Sequence, residues 1–191
     1  MSQAARGKPR ASYEDLLALP EHQVGEIVDG DLYVSPRPRS RHALAATRLG
    51  SRLSLPFDDG IGGPGGWWIL AEPELHFGAD VLVPDLAGWR RERMPEFPDV
   101  PFFTLAADWA CEILSPSTQR VDRSRKLRIY ARESVGHVWL VSVEARTLEV
   151  LRRQGDEWLL AAVHEGAARV RAEPFAAVEL DLAALWGETA A

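Results

Sequence analysis

The sequence predicts a mixed α/β fold, of the α+β kind: one mixed central β-sheet with helices packed on it and extra β-hairpins. Three observations predict it. Apolar, β-branched and aromatic runs of strand length recur along the chain, as at Trp109 to Leu114. Two longer stretches, after Ser40 and after Val121, carry helical spacing instead. The order is helix, strands, helix, strands, which is not a regular βαβ alternation.

Residues 1–11 read as a disordered tail and 12–191 as a single domain, a length that suits one sizeable core. Ser12 caps a short helix, with Asp15 three positions on, and Pro20 ends it. Glu26-Ile27-Val28 and Leu32-Tyr33-Val34 flank Asp29-Gly30, a hairpin turn whose positive φ glycine supplies; Ser35-Pro36 closes it. A helix is expected from Ser40 to about Leu55, on the stripe Leu44, Arg48, Leu49 and Leu53, and Pro56 stops it. Phe57 to Gly66 is a glycine-rich loop.

Trp67–Leu70 and Glu74–Phe77 form a pair of strand segments interrupted by Pro73. Val81–Trp89 makes another strand and Trp109–Leu114 a third. A helix follows from about Val121 to Ser134, with Gly136 as its left-handed cap. His137–Val143 and Thr147–Arg152 make a hairpin, Glu157–Val163 a further strand, and Ala183–Trp186 a short closing helix.

Composition is ordinary for a globular protein, at 46% hydrophobic and 26% charged residues. No apolar run nears the ~20 residues that span a bilayer. The polar N-terminus has no signal-peptide core, so a cytoplasmic protein is expected. The lone Cys111 has no internal disulfide partner, and its place in an apolar strand makes it core. A net charge of −6 argues against a protein that coats DNA. The basic residues are clustered, however: Arg37, Arg39, Arg41, Arg48 and Arg52 in one group, Arg120, Arg123, Arg125, Lys126, Arg128 and Arg132 in another. Either group alone reads as a solvated helix face.

Two acids stand out because they sit inside apolar strands: Asp85 in Val83-Pro84-Asp85, and Glu112 in Ala110-Cys111-Glu112-Ile113-Leu114. An isolated buried carboxylate is costly unless it is paired, hydrogen-bonded or metal-bound. Each alone reads as a strand-end acid on a backbone amide or an arginine. Together they suggest one shared hard cation such as Mg²⁺, which takes carboxylate oxygens and keeps several waters. A third group is Lys126. Of 22 basic residues only Lys8 and Lys126 are lysine, and Lys8 lies in the tail. Lysine is a compact point charge that arginine does not replace, so either an ammonium is required at 126 or one lysine survived by chance. Asp122, Lys126 and Tyr130 share a helix face, from which Lys126 can reach the carboxylates. His22, His76, His137 and His164 show no metal-ligand spacing, which sets zinc aside. Trp67-Trp68, beside the glycine loop, offers a weak base-stacking signal.

The ordered series resembles the PD-(D/E)XK nuclease superfamily, and within it the Uma-type family of restriction endonucleases. The matching stretches are Gly25-Glu26-Ile27-Val28-Asp29-Gly30-Asp31-Leu32, Ser35-Pro36 with His42, and Val83-Pro84-Asp85-Leu86. They continue through Glu112-Ile113-Leu114-Ser115-Pro116-Ser117-Thr118, Asp122 with Lys126 and Tyr130, and Val135-Gly136-His137-Val138-Trp139-Leu140-Val141. The likeness covers Ser12 to Arg152. It implies a restriction-endonuclease-like core and metal-assisted cutting of DNA, with Asp85 and Glu112 holding Mg²⁺ or Mn²⁺, helped by the Ile113 carbonyl. It gives Lys126 the task of orienting or deprotonating the attacking water. There is one departure: the superfamily's lysine sits two residues after the acid, where this chain has Leu114. The helix from Ser40 also lacks the extra acid that the first helix often supplies; Glu26 or His42 can stand in, though Glu26 can equally pair with an arginine and His42 can cap its helix. The main rival is a nuclease-fold module that binds nucleic acid or protein without cutting. A third reading is a homodimer joined through the late hairpins, His137–Val163.

Overall fold

The computed structural model describes residues 10–20, 22–36 and 39–188; most of the predicted tail lies outside them. The chain order is α1 Tyr13–Leu17, β1 Gln23–Val28, β2 Asp31–Pro36, α2 Ser40–Leu53, β3 Trp67–Ala71, β4 Leu75–Phe77, β5 Asp80–Leu82, β6 Leu86–Arg90 and β7 Trp109–Leu114. A composite helix follows: α3 Gln119–Val121, a π turn over Asp122–Lys126, and α4 Leu127–Arg132. β8 His137–Ser142, β9 Thr147–Gln154, β10 Glu157–Glu165, β11 Arg169–Val170, β12 Leu180–Asp181 and a 3₁₀ turn over Leu182–Trp186 complete it.

A six-stranded sheet in the order β10-β9-β8-β7-β6-β3 forms the centre. It is antiparallel except for β7 and β8, which run parallel and are joined by the composite helix. A four-stranded sheet, β2-β1-β5-β4, stands beside it, and β11 pairs with β12. Mixed sheet and flanking helices are as the sequence predicts.

Side chains alternate across the central sheet. Trp109, Cys111 and Ile113 face one core cluster, with Trp139, Val141, α2 residues Ala45, Leu49 and Leu53, and Phe175. Ala110, Val138 and Leu140 face the other, with Ile129 and Tyr130 of α4 and with Leu75, Phe77 and Leu82 of the smaller sheet.

Several local expectations are corrected. Val81–Trp89 is not one strand. It breaks over Val83–Asp85 and passes from the smaller sheet to the central one, so Asp85 lies at a bend rather than inside a strand. Pro84 lacks the N–H a ladder needs, which suits the break. Trp67–Leu70 and Glu74–Phe77 belong to different sheets. Pro56 does not stop α2 outright, because the helix widens into a π turn over Ser54–Asp58. Gly136 is not the left-handed cap: that residue is Ser134, at φ 66°. Gly136 serves close approach instead, since a Cβ there would sit 3.1 Å from the Asp108 carbonyl. The Asp29-Gly30 turn is as expected, with φ of 55° and 81°.

Candidate active site

The bend before β6 and the middle of β7 bring the two acids together. β6 and β7 pair with Leu86 opposite Cys111 and Ala87 opposite Ala110, and the next step of that register sets Asp85 against Glu112. Asp85 Oδ2 accepts the backbone N–H of Ile113 at 2.6 Å. Its Oδ1 lies 2.5 Å from His42 Nε2, at the start of α2. Burial opposes charge on His42, but the hydrogen bond and charge of Asp85 outweigh it and raise its pKa. His42 and Asp85 line a groove of about 600 Å³ between α2 and β3, with Glu72, Ser51 and Ser54 along its walls.

Glu112 is buried and does not line that groove. The composite helix meets it along one line. In an α-helix a four-residue step overshoots a full turn by ~40°. A π turn takes more residues per revolution, so a four-residue step there falls short. The two offsets oppose each other, and Asp122, Lys126 and Tyr130 stay on one side. Lys126 Nζ is 2.8 Å from Glu112 Oε1, 2.8 Å from Glu26 Oε1 and 3.5 Å from Asp122 Oδ1. The Tyr130 hydroxyl donates to Glu112 Oε1 at 2.5 Å. Glu26 also accepts the N–H of Val83, tying the cluster to the bend that carries Asp85. Among the described residues it pairs with Lys126 and with no arginine.

Three carboxylates therefore share one ammonium. Burial pushes the Glu112 pKa well up; Lys126 pulls it back, and Asp122, Glu26 and Asp85 push it further. Burial also raises Asp122, with Lys126 opposing. Burial disfavours the charge on Lys126, yet Glu112, Glu26, Tyr130 and Asp122 outweigh that and raise its pKa well above the usual lysine range.

The five expected residues form two bonded groups, His42 with Asp85 and Glu26 with Lys126 and Glu112, held side by side by the backbone at Ile113 and Val83. Tyr130 was visible only as a face-mate of Lys126; its bond to Glu112 depends on how the helix docks. Leu114 packs into the second core cluster, on the face Glu112 shares, so the usual lysine position is apolar and Lys126 arrives from the helix.

The arginine clusters fare differently. Arg123 pairs with Glu149, Arg125 with Asp31, Arg128 with Asp29 and Arg132 with Asp80, so most of the second cluster is structural. Arg37 lies outside the described residues. Arg48 donates to the Ala184 carbonyl. Arg39 and Arg41 are exposed beside His42. Trp67 is core and Arg91 covers Trp68 at 3.8 Å, which removes the base-stacking signal. Among the described residues no helix is long and apolar enough to cross a membrane.

No curated protein matches the chain. Among solved structures, it is similar to a putative nuclease belonging to DUF820 from Anabaena variabilis. The TM-score is 0.73 and the identity 22%, over 93% of this chain and 98% of that one, which shows a shared fold. A family model, Uma2, described as "Putative restriction endonuclease", matches residues 12–184. With that match running through every residue of the Glu26, Asp85, Glu112 and Lys126 network, the chain belongs to the Uma2 family.

Proposed function

We propose that the chain is a metal-dependent endonuclease that hydrolyses phosphodiester bonds of DNA, with Asp85 and Glu112 as ligands for Mg²⁺ or Mn²⁺. The observation that carries this reading is the convergence at the β6–β7 junction. Asp85 takes the Ile113 N–H while Lys126 lies 2.8 Å from the neighbouring Glu112.

The donor set suits such an ion. Among the described residues no group of three or more His, Cys, Asp or Glu side chains forms a metal cage. Mg²⁺ asks for less: one or two carboxylates, with waters and substrate phosphate completing its shell. Both bonds to Glu112 fall on Oε1, and Oε2 takes no hydrogen bond among the described residues. The N–H and C=O of one strand residue point to the same edge. The Ile113 carbonyl is therefore turned toward the Asp85 side with its N–H.

When bound, the ion would lower the pKa of a coordinated water and neutralise charge on the phosphate. The chain's own residues do the rest. His42 and the Ile113 N–H fix the Asp85 carboxylate. Lys126 orients the water and stabilises charge that builds on the phosphate. Arg39 and Arg41, exposed beside His42, would meet the DNA backbone.

Nicking of a supercoiled plasmid with Mg²⁺ or Mn²⁺ tests this. Cutting by the parent is expected, with loss in Asp85→Asn and Glu112→Gln. Equal cutting by those variants overturns the assignment. Duplex binding by a parent that cuts nothing favours the inactive nuclease-fold module. The edge strand β10 exposes Leu159, Leu160 and Val163, which supports a homodimer through the late hairpins; light scattering decides it.

A further inference from the structure

We propose that Tyr130 is a positioning residue for Glu112, one that reserves a single carboxylate oxygen for the metal; this rests on the metal-dependent reading above. Tyr130 is fully buried, and its hydroxyl donates to Glu112 Oε1 at 2.5 Å. Lys126 approaches the same oxygen at 2.8 Å. Both donors come from one composite helix, Lys126 closing its π turn and Tyr130 one turn on in α4.

The consequence is an asymmetry within one carboxylate. Oε1 takes an ammonium and a hydroxyl, while Oε2 takes no hydrogen bond among the described residues. The Glu112 side chain is 4% exposed, and Oε2 is not among the sealed side-chain polar atoms that lack a partner in the described residues. A carboxylate free to swing would present either oxygen and would exchange Lys126 between them. Two donors on Oε1 fix the plane of the group and leave the other oxygen to the metal. Outer-shell partners of a ligating carboxylate act in this way, and removing one typically weakens metal affinity or activity by about 10–100-fold.

The hydroxyl has no other described partner, and the phenol ring carries the packing against Ile129 and Leu140 in the same cluster. Tyr130→Phe therefore deletes the positioning bond and keeps the packing. Mn²⁺ binding measured by electron paramagnetic resonance, without DNA, reads the effect directly. The expected result is a Kd about 10–100-fold weaker in Tyr130→Phe than in the parent, with a melting temperature close to the parent's. Asp85→Asn, measured alongside, should lose binding altogether. Equal Mn²⁺ affinity in Tyr130→Phe and parent overturns the positioning role and leaves the metal site standing. Weaker binding that comes with a collapse of the melting transition also overturns it, because the hydroxyl is then a structural support. No Mn²⁺ uptake by the parent overturns the metal reading itself, and the role of Tyr130 with it.

Discussion

The two faces of the central sheet are built on the same strands and solve burial in opposite ways. On the α2 face, Trp67, Trp109 and Trp139 surround Phe175, with ring centroids 4.8–5.6 Å from it. On the α4 face, three residues further along β7, Glu112 is closed in with Lys126 and Tyr130. The apolar face is held by volume and contact, which any well-fitting side chain can supply. The α4 face adds to its own apolar cluster a charged group held by compensation, in which the value of each member depends on the presence of the others. A single strand can serve both because its side chains alternate.

The largest effects should be equal in size and different in kind. Phe175→Ala empties the aromatic cluster and should cost about 3–5 kcal/mol. Lys126→Met leaves Glu26, Glu112 and Asp122 without their cation and should cost about 3–5 kcal/mol. Denaturant melts measure both. A second substitution separates them: Glu112→Gln should restore part of the stability lost in Lys126→Met and none of that lost in Phe175→Ala. Equal rescue of both, or of neither, breaks the contrast between volume and compensation.

Adjacent residues of β7 sharpen it. Cys111→Ser puts a hydroxyl into the sealed apolar face and should cost about 1–3 kcal/mol. Glu112→Gln removes a charge from a cluster with more carboxylates than cations, and Lys126 keeps Glu26 and Asp122. That change should stay within about 1 kcal/mol of the parent, since the amide can still accept from Tyr130. A larger loss for Glu112→Gln than for Cys111→Ser would show that the ion pair with Lys126 carries the fold.

The smallest effect is a pH slope at the apolar face. His137 lies 3.3 Å from Glu173, and burial lowers its pKa from the ordinary 6.5 despite that partner. The unfolded chain then binds a proton that the folded chain resists. Stability is full above the unfolded pKa and falls as pH drops through about 6.5. His137→Gln should flatten this acid slope in thermal melts between pH 8 and pH 5. An unchanged slope places its origin elsewhere.

The sequence by itself indicated most of the elements and the candidate residues. Asp85 and Glu112 are legible because a carboxylate in an apolar run contradicts its surroundings, and Lys126 because an arginine-rich chain has almost no other lysine. The hairpins at Asp29-Gly30 and around Glu144-Ala145-Arg146 follow from local turn chemistry and strand alternation. Tertiary structure alone decided what depends on contacts between distant segments. Only there does Val81–Trp89 divide between two sheets, because periodicity along a strand says nothing of which neighbours it meets. Only there are four arginines of the second cluster taken up by Glu149, Asp31, Asp29 and Asp80, since the charge of one segment does not reveal its partner. The shared oxygen of Glu112 belongs to the same class. Tyr130 and Lys126 stand next to it through the docking of a helix with a π turn, and neither the turn nor the docking has a signature in the residues that form it.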